Sequence, residues 1–223
     1  MTTEFSYIGV IGMGMHYKKI VSVGLSMVLG ASGFAHSSEI SPFHYPLHKL
    51  ISQQEIQEKL QGLQEVLAQD YAGEELCVIA VLKGSLWFAT DLLSSLSFPA
   101  TLQTISCSSY GARGAEAGEL SIEGLSQLDI TGKHVLIVDD ICDSGVTLSR
   151  LKEELQKFSP KSMKTAVCLL KNTTRSIGYE PDYHLFGIPD AFVVGYGMDY
   201  KEYYRGLADI YELEYSAPTE TVE

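Results

Sequence analysis

Asp139, Asp140 and Asp143 stand just ahead of four residues, Ser144, Gly145, Val146 and Thr147, in the stretch VLIVDDICDSGVTLSRL. The apolar start reads as a buried strand and the end as a helix, so the acids and the small residues fall in the turn between them. Ser144 and Gly145 let consecutive backbone N–H groups face outward, and the helix that follows presents its positive end there. Such a loop is a phosphate cradle. The helix dipole alone contributes only about 0.3–1 kcal/mol when exposed, so oriented N–H bonds and hydroxyls must supply most of the grip. Two neighbouring carboxylates repel bare phosphate. Asp139 and Asp140 therefore suit a ligand that carries hydroxyls or bound Mg²⁺ beside its phosphate, and a sugar phosphate has both.

Other polar groups end apolar runs elsewhere in the chain. Lys83 and Gly84 follow LCVIAVL (76–82), Ser109 and Tyr110 follow TLQTISC (101–107), Lys171 closes TAVCLLK (165–171) and Asp199 closes AFVVGYGMD (191–199). These runs are of strand length and apolar throughout. They alternate with helical patterns over residues 52–70, 85–96 and 144–158, the first opened by a Ser52 cap. That alternation predicts an α/β fold, a parallel sheet with helices on both faces. In such sheets ligands collect beyond the carboxyl ends of the strands, so the five groups are expected to converge on one rim. Residues 108–124 are rich in Gly, Ala and Glu, lack a core face and read as a disordered insert or a mobile lid.

The chain has 223 residues, 45% of them hydrophobic, and a net charge of −12. This is enough for one sizeable core. The acidic balance argues against a nucleic-acid partner, which needs a basic contact face. Cys77, Cys107, Cys142 and Cys168 form no CxxC pair and read as buried reduced thiols. The six histidines lack metal-ligand spacing. Near the N-terminus, Lys18 and Lys19 precede IVSVGLSMVLGASGF and a small-x-small site at Ala35, which together resemble a secretory signal; a dispensable upstream extension is the other reading. As a membrane span the stretch is short and rich in Gly and Ser, and no membrane contact is expected of the folded part. The expected organisation is an extension over 1–45, one folded domain over 46–215 and a flexible tail over 216–223.

The strand, the paired acids and the Asp-Ser-Gly-x-Thr order resemble the PRPP-binding signature of the type I phosphoribosyltransferases. VLKGSLWFATDLL, SSY, KNTTR and YEPDYHLFGIPDAFVVGYGMDYKEYYRGL extend the resemblance to the hypoxanthine-guanine branch, over residues 47–213. It implies a Rossmann-like parallel sheet core with a small hood. It also implies purine salvage: transfer of the 5-phosphoribosyl group from PRPP to hypoxanthine, guanine or xanthine, releasing pyrophosphate.

The residue roles below are what that resemblance implies. Asp139 and Asp140 hold the ribose hydroxyls, Asp143 exchanges a proton with the purine, and residues 143–147 (Ser144, Gly145, Val146 and Thr147 after the aspartate) wrap the 5′-phosphate. Leu82, Lys83 and Gly84 form the pyrophosphate loop, with a cis peptide before the lysine, and Arg205 meets the pyrophosphate. Lys171 donates to the purine 6-oxygen, Phe192 stacks on the base, and Val193 offers backbone groups to its edge. Asp199, with Asp139 and Asp140, faces Mg²⁺, the expected cofactor. Ser109 and Tyr110 open a lid that keeps water from the sugar cation. An ammonium can only donate, so Lys171 suits a 6-oxopurine and opposes the 6-amino group of adenine. The resemblance further implies a homodimer or homotetramer. PRPP and the cysteine pattern favour a cytoplasmic enzyme over export. The rival reading is a regulator that senses PRPP or nucleotides on the same fold; the acidic balance and the lack of an appended DNA-binding region weigh against it.

Overall fold

The computed structural model describes residues 45–109, 120–174 and 176–214. The expectations for residues 1–44, Tyr110 and the 216–223 tail lie outside the described residues. In chain order the elements are β1 (Leu47–Ile51), α1 (Gln53–Asp70), β2 (Leu76–Leu82), α2 (Leu86–Ser94), β3 (Ala100–Ser109), β4 (Leu120–Glu123), β5 (His134–Cys142), α3 (Val146–Gln156), β6 (Ser162–Asn172), β7 (Tyr183–Pro189), β8 (Val193–Val194) and β9 (Ile210–Leu213).

The main sheet has the order β4-β3-β2-β5-β6-β7, parallel except where β4 runs against β3. Its central strands read as unbroken apolar runs because both faces are covered. Leu76, Val78 and Ala80 of β2 join one core with Ile56, Leu60, Leu63 and Leu67 of α1 and with Phe88, Ala89 and Leu92 of α2. Cys77, Ile79 and Val81 join the other, against Leu148, Leu151 and Leu155 of α3. Burying each such Leu or Ile is worth about 1.5–3 kcal/mol, so the sheet is clamped from both sides. The predicted Ser52 cap is present as a full capping box with Glu55.

β1, β9 and β8 make a separate three-stranded antiparallel sheet, the hood. Its Ile51, Val193 and Ile210 pack into the same core as α1 and α2.

Three expectations need correction. Residues 191–199 do not form a strand of the main sheet. Only Val193–Val194 are extended, and they belong to the hood. Gly195, Tyr196 and Gly197 take left-handed backbone conformations (φ 95°, 48° and 98°), which break a strand. The sixth main strand is β7, an edge strand whose mixed sequence YHLFGIP hides its period. Second, the 108–124 segment is not without a core face: β4 lies against the end of β3, and its Ile122 packs on the α3 side. Third, the helix after the acids starts at Val146 rather than Ser144, since Gly145 is left-handed at φ 84°.

Candidate active site

Chain order reverses between β2 and β5: the chain moves from β2 outward to β3 on one side, and from β5 outward to β6 on the other. That switch point opens a crevice at the carboxyl ends of the two strands. A cavity of about 250 Å³ lies there, lined by Leu82, Gly84, Cys107, Asp139, Asp140 and Thr147 among others. The Leu82 to Lys83 peptide is cis. Gly84 leaves room for the Asp140 carboxylate, which a Cβ there would displace. Gly197 of the hood comes down onto the Gly84 carbonyl in the same way.

Asp139 is 8% exposed, and Asp140 beside it is partly buried. The Asp140 N–H donates to Asp139 Oδ1 at 3.0 Å. Burial pushes both carboxyls above the ordinary aspartate range, and for Asp139 the charge of Asp140 adds to the rise. Beyond them the chain turns through Asp143, Ser144 and Gly145. A Cβ on Gly145 would collide with Tyr179, so the left-handed turn and the close approach both demand glycine here. Val146 and Thr147 then open α3, and the Val146 N–H reaches Ser144 Oγ at 3.4 Å.

Lys171, near the end of β6, is buried to 11% side-chain exposure, and its Nζ lies 3.5 Å from Asp143 Oδ2 and 3.7 Å from Asp190 Oδ1. Phe192 is 47% exposed, and its ring meets Tyr200 edge-on at 5.8 Å. Val193 is buried and pairs with Glu212 across the hood. Asp199 sits in the loop after β8, where its Oδ1 pairs with Arg205 Nη2 at 2.6 Å. Arg205 Nη1 donates to the Gly197 carbonyl at 2.8 Å, while its buried Nε has no acceptor among the described residues. Ser109 ends β3, opposite Leu120. So the crevice gathers the acids, the Lys83–Gly84 turn, Lys171 and, by way of the hood rather than a fifth parallel strand, Asp199 and Arg205. Among the described residues no group of three or more His, Cys, Asp or Glu side chains is arranged to hold a metal alone.

Residues 50–201 match the family model of the phosphoribosyl transferase domain. The chain belongs to the phosphoribosyltransferase family. It is 39% identical over 158 residues to the hypoxanthine-guanine phosphoribosyltransferase of Streptococcus pneumoniae, a match covering 71% of this chain and 88% of that protein. The human protein of the same name is 38% identical over 162 residues, covering 68% of this chain and 74% of that one. A crystal structure of a hypoxanthine-guanine phosphoribosyltransferase from Bacillus anthracis, with a HEPES molecule in its active site, superposes with a TM-score of 0.68 at 41% identity. That match covers 74% of this chain and 96% of the other. The predicted α/β fold with its parallel sheet and hood is therefore the fold of this phosphoribosyltransferase.

Sequence reasoning passed over three groups at the rim: Asp190 beside Lys171, Tyr200 against Phe192, and Glu202, whose carboxylate touches both Lys83 and Arg205. All three lie in the 179–207 run that resembles the family, and Glu202 stands out there as an acid three residues before Arg205.

The acid pair makes its own contribution to the pH dependence of the phosphoribosyltransferase's stability. A carboxyl raised in the folded state binds its proton more tightly there than in the unfolded chain. The stability this gives is full below the unfolded pKa and is lost as pH rises through the folded value. At pH 7, well above the unfolded value, each raised carboxyl therefore destabilises the fold. Asp139→Asn, which keeps the acceptor for the Asp140 N–H, is expected to raise Tm by about 2–4 °C at neutral pH. The gain should shrink as pH falls toward about 4. Calorimetry across that range checks it; an unchanged or lower Tm at pH 7 contradicts the assignment.

Proposed function

We propose that the protein transfers the 5-phosphoribosyl group from PRPP to a 6-oxopurine, hypoxanthine or guanine, giving the nucleotide and pyrophosphate. The observation that carries this reading is the approach of Lys171 to Asp143 at the rim beside the phosphate loop. A buried ammonium donates to a 6-oxygen, and a carboxylate next to it can take the proton that the base gives up. The names of the family relatives support the same chemistry.

In this reading residues 143–147 bind the 5′-phosphate through backbone N–H groups and the hydroxyls of Ser144 and Thr147. Asp139 and Asp140 take the two ribose hydroxyls. Their raised affinity for protons makes each ready to share a hydrogen with a hydroxyl, which offsets the cost of burying two acids. Phe192 stacks on the purine, and the Val193 backbone meets its edge. Lys83, Gly84 and Arg205 receive the pyrophosphate as negative charge builds on it. The lid assignment to Ser109 and Tyr110 keeps its role of excluding water.

Mg²⁺ is bound in many sites through one or two carboxylates plus substrate oxygens rather than by a full protein cage. Asp199, Asp139 and Asp140 are oxygen donors of the kind such a site uses, and since the described residues gather no set of three acids around one point, substrate oxygens would have to complete the coordination. When bound, the ion neutralises charge on the departing pyrophosphate.

The catalytic domain in this proposal is residues 46–215, with residues 1–45 dispensable for turnover. No described helix is long and apolar enough to cross a membrane, and all four cysteines are free. With phosphorylated metabolites as substrates, these features favour work in the cytoplasm. Assembly as a homodimer or homotetramer belongs to the same reading and is measured by analytical ultracentrifugation. The deciding assay supplies PRPP and Mg²⁺ with hypoxanthine, guanine, xanthine or adenine in turn. IMP and GMP are the expected products, with no AMP from adenine. Absence of IMP, with PRPP still bound, would instead favour a sensor.

A further inference from the structure

The pyrophosphate cations assigned above already hold an anion of the protein's own. A single oxygen of Glu202, Oε2, lies 3.1 Å from Lys83 Nζ and 3.3 Å from Arg205 Nη2. Lys83 comes from the turn after β2 and Glu202 from the hood loop, 119 positions away. The loop is sharply bent around this contact: Lys201, Glu202 and Tyr204 have φ of 52°, 69° and 73°. Side chains other than glycine seldom adopt such values. The Glu202 N–H donates to Asp199 Oδ2 at 2.8 Å, which ties the turn to the other acid that holds Arg205 Nη2.

We infer that Glu202 is a built-in stand-in for pyrophosphate: its carboxylate bridges Lys83 and Arg205 and must leave them before pyrophosphate binds. This rests on the reading of Lys83 and Arg205 as the pyrophosphate groups. The side chains of Glu202 and Lys83 are 65% and 63% exposed, so an incoming anion can reach and displace the bridge. Arg205, at 18%, stays anchored to Asp199 and Gly197 throughout. The Lys83 ammonium, and after it the Arg205 guanidinium, hold the Glu202 carboxyl below the usual range, so the stand-in is ionised at neutral pH. The bridge keeps two cations facing one point, and its return competes with pyrophosphate as the product leaves.

Exposed ion pairs are weak, so the competition is a modest one. Affinity is reduced by the fraction of molecules in which the cations are taken. Isothermal titration of inorganic pyrophosphate in Mg²⁺ buffer onto the full chain tests this. Glu202→Gln and Glu202→Asp are both expected to bind about 3–10-fold more tightly than the parent. The aspartate keeps the charge but is one methylene too short to span both cations. Tighter binding by Glu202→Gln alone would mean a through-space charge effect and overturn the bridge, as would unchanged or weaker binding by both. Lys83→Ala, titrated alongside, tests the underlying reading. It should bind pyrophosphate more weakly, and parent-like affinity, or no binding by the parent itself, would remove the pyrophosphate assignment rather than the bridge alone.

Discussion

Asp143→Asn is expected to lower kcat with hypoxanthine by about 10²–10⁴-fold, the usual worth of a positioned acid or base. PRPP affinity should change by less than about threefold, well under one factor of ten in binding. The two effects separate because Asp143 has two parts. Its backbone belongs to the phosphate loop that turns through Gly145 into α3, and an asparagine of the same shape leaves that loop intact. Its carboxylate faces Lys171 across 3.5 Å and lies open enough, at 40% side-chain exposure, to meet a ligand. An amide cannot accept the purine proton at that place. Steady-state kinetics with hypoxanthine, paired with equilibrium binding of PRPP, measures both parts. Unchanged kcat would take Asp143 out of the proton transfer, and lost PRPP binding would make its role one of loop structure.

Lys171→Met should cost about 10²–10³-fold in kcat/KM for hypoxanthine, the scale of removing one partner from a buried, hydrogen-bonded charged group. Methionine keeps much of the side chain's length and removes every donor. Two penalties then add. The 6-oxygen loses its hydrogen bond, and Asp143 and Asp190 lose the ammonium that lies between them. The preference for hypoxanthine over adenine should shrink too, since a site rejects an analogue through polar groups left unpaired. KM for PRPP serves as the internal control and should stay within about threefold. Retained kcat/KM and retained discrimination against adenine would show that the base is read by another group.

The parts of this site that lie close in sequence were legible from it. The acids and the phosphate loop share one strand-to-helix turn. The continuous apolar character of β2, β5 and β6 announced a sheet buried on both faces, and so told where their last residues must point. The hood was harder to see. β1 and β9 pair across most of the domain, and β8 is only two residues long. Its apolar run looked like a main-sheet strand because Val193, Val194, Tyr196 and Met198 are all buried, yet burial there comes with left-handed turns rather than extension. β7 escaped notice for the opposite reason. As an edge strand it buries only Leu185 and Ile188, too few to show a period. The contacts of Glu202 with Lys83, and of Asp190 with Lys171, depend on the hood settling over the sheet, and no local pattern encodes that distance.

The most direct test is a crystal structure of the protein with IMP bound. The 5′-phosphate is expected on the backbone of residues 144–147, the ribose hydroxyls on Asp139 and Asp140, and the purine 6-oxygen within hydrogen-bonding distance of Lys171 Nζ. A nucleotide found elsewhere, or turned so that its 6-oxygen faces away from Lys171, would contradict it.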